Sequence, residues 1–253
     1  MTQKNHHINM RKYVVLVTLL LGMAMASMGQ NRQLQIMSYN VRHCAGMDLM
    51  VNYDRTASVI AQQQPDVVAL QELDSMTGRS GHHDQLGELA SRTGYHPVFG
   101  AAIEFDGSLY GVGILTREIP LSTKHIPLPG EEPRVLLVVE LEEYVIACTH
   151  LDLEEAQRLA SVPLIMEEAQ RWEKPFILAG DWNDELGSEL LEAMMQHFTV
   201  LSGNEATYPA DEPTECIDYV AAFNGRAEAI ESHVIDEPEA SDHRPLVVWV
   251  QLR

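Results

Sequence analysis

Cysteine is scarce in this chain. Cys44, Cys148 and Cys216 make three, an odd number with no close-spaced pair, which argues against a disulfide-stapled scaffold and leaves room for one bridge at most. Cys148 lies in an apolar run and reads as a small buried residue. Positive charge is scarce as well: 17 Lys and Arg stand against 37 Asp and Glu, a net charge of -20. No Lys/Arg run and no interleaving of basic with aromatic residues offsets it. Such a surface repels a long polyanion, which disfavours a nuclease of long duplex DNA but not a hydrolase of a small phosphorylated molecule. Long apolar runs are missing too. The best candidate, residues 13–25, falls short of the ~20 residues of a comfortable membrane span, so no stable span is expected. Short-period repeats and low-complexity linkers are absent, and no boundary divides the chain after its first thirty residues.

Those first residues have a pattern of their own. Arg11-Lys12 precede the uncharged stretch 13–25, and Ala24-Met25-Ala26 offers a small-x-small cleavage site. Residues 1–29 are therefore expected to be a signal peptide and 30–253 one exported domain, periplasmic or extracellular, acting as a monomer. No cysteine follows the cleavage site closely, so a lipid anchor is not suggested. Losing Lys4, Arg11 and Lys12 with the leader leaves the domain more acidic still.

Apolar, β-branched runs predict strands at 34–40, 66–71, 110–116, 134–141, 144–149, 176–180, 217–222 and 246–251. Helical spacing predicts helices at 54–64, 84–93, 153–172 and 188–198, with Asp54 and Ser188 as N-caps and Pro163 kinking or dividing the third. The order is strand-helix-strand at each end with strands between. That reads as an α/β protein whose sheets pack face to face with helices outside. The strand-helix-strand unit occurs twice, at 36–71 and 144–180, which hints at two similar halves.

Chemistry-bearing residues gather where these strands end. Asn40 and Glu72 offer hard oxygens to a divalent cation, although each alone also suits a turn or an exposed surface. Asp181 and Asn183, two apart after Gly180, can present a base and a neutral donor to one phosphate, or form an Asx turn. Gly180 would let the backbone turn beneath a ligand. His150 stands at another strand exit. Asp218 falls inside a predicted buried strand and needs a partner there; pairing with His243 would fix that ring's tautomer and raise its pKa. Asp242 precedes His243 in Ser241-Asp242-His243-Arg244-Pro245.

Eight blocks carry a resemblance: MSYN (37–40), LQELD (70–74), YGVGILTR (110–117), THLD (149–152), GDWN (180–183), TYP (207–209), IDYV (217–220) and SDHRPL (241–246). In this order they resemble the endonuclease/exonuclease/phosphatase family, which includes DNase I, AP endonucleases, neutral sphingomyelinases and inositol polyphosphate 5-phosphatases. The resemblance implies a four-layer α/β/β/α sandwich with its active site at one end of two sheets. It implies that Glu72 binds Mg²⁺, or Mn²⁺ in its place, with Asn40 and Asp242 beside the metal. It implies that Asp181 positions or deprotonates water and that Asn183 holds a phosphoryl oxygen. His150 and His243 stabilise charge or donate a proton, and Asp218 orients His243. Where AP endonucleases have an acid two residues after the first Asn, this chain has Arg42, which puts DNA repair in doubt. Arg42 is then a contact for a second phosphate or a salt-bridging surface residue. Arg79, in the polar loop 77–83, together with Arg117 and Arg134, is a further candidate for substrate contact. The expected activity is metal-dependent hydrolysis of a small or lipid-linked phosphoester. A secreted nuclease and a non-catalytic binding module are the alternatives.

Overall fold

The computed structural model describes residues 32–253. The leader expected at 1–29 lies outside them. Strand β1 (Gln33–Asn40) leads through helix α1 (Tyr53–Gln63) to β2 (Val67–Ser75), followed by helix α2 (Gln85–Thr93), β3 (His96–Phe105) and β4 (Ser108–Thr116). Next come β5 (Ser122–Leu128), β6 (Arg134–Glu140), β7 (Val145–His150), helix α3 (Glu155–Ala169) and β8 (Phe176–Asp181). The chain ends with helix α4 (Glu189–Met195), β9 (Phe198–Val200), β10 (Asp218–Phe223), β11 (Ala227–Val234) and β12 (Leu246–Leu252). Two six-stranded mixed sheets result, in the orders β11-β12-β1-β2-β4-β3 and β5-β6-β7-β8-β10-β9.

Side-chain alternation along the strands builds the layers. Leu34 and Ile36 of β1 join Leu137 of β6, Ile146 of β7 and Ile177 of β8 in a core between the sheets. Met37 and Tyr39, pointing the other way, pack with Ile60 of α1 and Leu89 of α2. On the far side Leu136 and Val138 of β6 pack with Ile165 of α3 and Leu191 of α4. Three apolar layers separate four layers of secondary structure, the α/β/β/α sandwich that the motifs imply. Burying each such aliphatic side chain contributes roughly 1.5–3 kcal/mol.

Each sheet holds one parallel pair, β1 with β2 and β7 with β8, and each pair is joined by a crossover helix. The registers end with Asn40 beside Gln71 and His150 beside Asp181. This is the repeated strand-helix-strand unit.

Several local expectations are corrected. Asn52, not Asp54, caps α1: its side chain accepts from Arg55 N at 3.0 Å. The helix starts earlier than expected, so Asp54 falls within its first turn, where an acid complements the helix dipole. Ser188 does cap α4, accepting from Leu191 N at 3.3 Å. Helix α3 is undivided through Pro163, because buried Ser161, Ile165, Met166 and Ala169 hold it on both sides of the ring. Gly180 lies within β8 rather than at a turn. A Cβ there would sit 2.0 Å from Thr149 O, so the glycine permits close approach of β7. Cys44, Cys148 and Cys216 are all free, with Cys148 fully buried.

Candidate active site

Strand β2 runs on to Ser75 instead of stopping at Gln71. Its pairing with β4 shifts register between Leu70 and Leu73, and Glu72 sits in that irregularity at φ 60°. A left-handed backbone at a non-glycine costs about 1–2 kcal/mol. The bulge redirects the side chain: Glu72 lines a pocket of about 440 Å³ with Asp181, Asp242, His150, Asn183 and His243. Asn183 also has a positive φ, 53°. Strained backbone concentrates at functional sites.

Asp181 is the hub. Its Oδ2 accepts from Asn40 Nδ2 at 3.1 Å and lies 3.5 Å from His150 Nε2 and 3.7 Å from His243 Nε2. Its Oδ1 accepts from Asn183 N at 3.0 Å. Asn40 Nδ2 also donates to Glu72 Oε1 at 3.0 Å, while its Oδ1 accepts from Arg42 N at 3.1 Å. Asn40 thus holds two carboxylates together with its amide nitrogen. Asn183 Nδ2 donates one hydrogen to Leu151 O at 2.9 Å, which leaves its second hydrogen to serve a ligand.

His243 and His150 are set in opposite charge states. His243 Nδ1 lies 2.9 Å from Asp218 Oδ2, which also accepts from Thr207 Oγ1 at 2.6 Å. Burial pushes His243 down, but Asp218, Asp181 and Asp242 outweigh it and carry the ring up to about 10. His150 is pushed down to about 4 by burial, with Arg134 and His243 adding to the effect against Asp181. Glu72 is raised, first by burial and then by Asp242 and Asp181, with the Asn40 bond opposing. Three acids crowded at one pocket are a donor set that suits a hard divalent cation. Asp181, Asp218 and His243 also bring ligand-capable atoms within 4.8 Å of one another. Asp218 Oδ2 is already engaged twice, by His243 and by Thr207.

The arginines separate. Arg134 lines the pocket. Arg42 is ion-paired to Asp242, with Nε 3.2 Å from Oδ2. Arg79 does not line the pocket: it makes two 2.8 Å bonds to buried Asp74, a commitment that loop polarity alone does not reveal. Arg117 is at the far end of β4, where its guanidinium donates to Pro65 O and Gln64 O. Four residues that sequence reasoning did not assign also take part. Thr207 bonds Asp218, the Tyr208 ring lies 4.8 Å from that of His243, and Tyr110 and Glu132 line the pocket. Thr207 and Tyr208 stand in the TYP block, and Tyr110 heads YGVGILTR.

Two packed mixed sheets with acids and histidines at one shared end define a DNase I-like sandwich. The chain belongs to the Endonuclease/Exonuclease/phosphatase family, whose pattern matches residues 37–243. Members of that family are phosphoester hydrolases. Among solved structures, a family protein of Beutenbergia cavernae is 24% identical and aligns over 87% of this chain and 72% of its own, with a TM-score of 0.73. One from Bacteroides vulgatus is 17% identical over 88% of this chain and 100% of its own, with a TM-score of 0.75. The mannosyl-6-phosphatase of Bacteroides thetaiotaomicron is 17% identical over 86% and 99%, with a TM-score of 0.71. No curated protein matches the chain.

Proposed function

We propose that this protein is an exported, monomeric, divalent-metal-dependent hydrolase of a small or lipid-linked phosphoester. The observation that carries the reading is the single pocket gathering Glu72, Asp181 and Asp242 with His150, Asn183 and His243. When bound at Glu72, Asp242 and Asp181, Mg²⁺ or Mn²⁺ would neutralise phosphoryl charge. Asp181 orients the water and takes its proton as the water oxygen bonds to phosphorus. His243, held by Asp218 and Thr207, gives its Nε2 proton to the leaving oxygen as the ester P–O bond breaks. His150, neutral at pH 7, and Asn183 donate to the phosphoryl oxygens.

Pocket size and charge favour a small substrate. About 440 Å³ suits a small molecule, and Glu132 and Glu215 add negative charge at the walls, against a polyanion. The sugar phosphate named for the B. thetaiotaomicron neighbour is of this class. Exposed Leu153 at the pocket suits an apolar aglycone or lipid. No helix among the described residues is long and apolar enough to cross a membrane. Export is supported by the charge and apolar pattern of residues 11–26.

The test is hydrolysis of p-nitrophenyl phosphate and bis-p-nitrophenyl phosphate. EDTA should abolish it and Mg²⁺ or Mn²⁺ restore it, and plasmid DNA should be nicked poorly at physiological salt. Metal-independent turnover would sink the mechanism; efficient nicking would make the protein a nuclease.

A further inference from the structure

Arg134 and Tyr110 line the pocket without a task in that scheme. Arg134 opens β6 of one sheet and Tyr110 lies in β4 of the other, yet both line the pocket, and both also line a smaller adjoining hollow with His150. Arg134 is only 7% exposed. Its Nη1 lies 3.1 Å from Glu132 Oε1 and 3.4 Å from His150 Nδ1. Its Nε is buried without a hydrogen-bond partner and lies 3.8 Å from Asp152 Oδ2. Arg134 also lines the pocket, so an anionic oxygen bound there would meet a charged donor.

Tyr110 is fixed beside it. Its ring lies 6.1 Å from that of Phe105 and 5.4 Å from the Arg79 guanidinium, which Asp74 locks in place. The phenol is protonated at neutral pH and can donate one hydrogen bond. Arg134 is the one arginine or lysine among the residues lining the pocket, where it faces Glu72, Glu132, Asp181, Glu215 and Asp242.

We propose that Arg134 and Tyr110 clamp the third terminal oxygen of a phosphomonoester dianion, which makes this site a monoesterase. The proposal rests on the hydrolase reading above and adds the substrate class. A phosphomonoester presents three terminal oxygens, a diester only two. A cation held by Glu72 and Asp242 would serve one, and His150 with Asn183 a second. The wall built by Arg134 and Tyr110 serves the third, with a planar charged donor fork suited to a phosphoryl group.

The experiment compares the full-length protein with Arg134→Met and Tyr110→Phe on p-nitrophenyl phosphate and bis-p-nitrophenyl phosphate, with Mg²⁺ or Mn²⁺ present. Arg134→Met should lower kcat/KM on the monoester by ~10–100-fold and on the diester by less than ~3-fold. Tyr110→Phe should lower the monoester value by ~3–10-fold and spare the diester. If Arg134 acted only through His150, both substrates would lose equally, and that result overturns the clamp. A wild-type protein that cleaves only the diester overturns it too. Should Arg134→Met fail to fold, Tyr110→Phe, which keeps the ring, carries the same ratio. Metal-dependent hydrolysis with an unchanged monoester-to-diester ratio in the variants defeats the clamp alone. No hydrolysis of either compound by the wild type defeats the hydrolase reading and the clamp with it.

Discussion

Each sheet presents one parallel strand pair bridged by a helix, β1-α1-β2 in one and β7-α3-β8 in the other, and both pairs end at the pocket. The first brings an amide and a carboxylate, Asn40 and Glu72; the second brings a ring and a carboxylate, His150 and Asp181. The segment before β12 then divides between them: Asp242 pairs with Arg42, which follows β1, while His243 pairs with Asp218 of β10. The same scaffold thus offers oxygen donors on one side and proton-handling groups on the other. Topology places the strand ends, and the residue at each end decides the chemistry.

Asp181 joins the two sides, because one oxygen meets Asn40, His150 and His243. Asp181→Asn should therefore give the largest effect, about 10³-fold in kcat, within the range of acid–base groups. The same variant should stay folded in EDTA, since the isosteric amide relieves Glu72 of a like charge while it costs His243 one of its acid neighbours. Steady-state kinetics and a thermal melt check this. A loss below tenfold would remove Asp181 from the centre of the site.

Glu72→Gln and His243→Gln test whether the sides are separable. The first should raise the Mg²⁺ concentration for half-maximal activity by ~10–100-fold. The second should leave that concentration alone and lower kcat by about 10²-fold. Metal titrations of both variants decide it; equal shifts would mean that the two sets act as one.

How far the sequence reveals these sides depends on burial. The eight predicted strands are the eight interior ones, and the four that were missed, β3, β5, β9 and β11, are the four sheet edges. Interior strands are covered on both faces and read as continuous apolar runs, such as Arg134–Glu140 and Phe176–Asp181. Edge strands face water: β5 carries Lys124, His125 and Pro127, and β11 carries Glu228 and Glu231. The site was legible because most of its residues lie at or beside the ends of interior strands, whereas Glu72 sits in a bulge within β2. Thr207, by contrast, lies in irregular chain and reaches Asp218 only through tertiary folding. Arg79 was misjudged because a charged loop residue gives no sign of a fully buried partner such as Asp74.

Two histidines near one carboxylate make the finest test. In EDTA, NMR titration should show His243 protonated up to about pH 10 and His150 neutral down to about pH 4. The folded His243 value is raised above the ordinary ~6.5, so its contribution to stability is full below that pH and is lost as pH rises through about 10. His150 has the opposite sign. Its folded value is depressed, so its contribution is full above ~6.5 and is lost as pH falls through about 4. Asp218→Asn should bring His243 back toward the ordinary range and flatten the alkaline limb of stability, leaving the acid limb to His150. If both rings titrate together near 6.5 in the wild type, the pocket does not split their charge states. The division of labour between an imidazolium and a neutral imidazole would then fail.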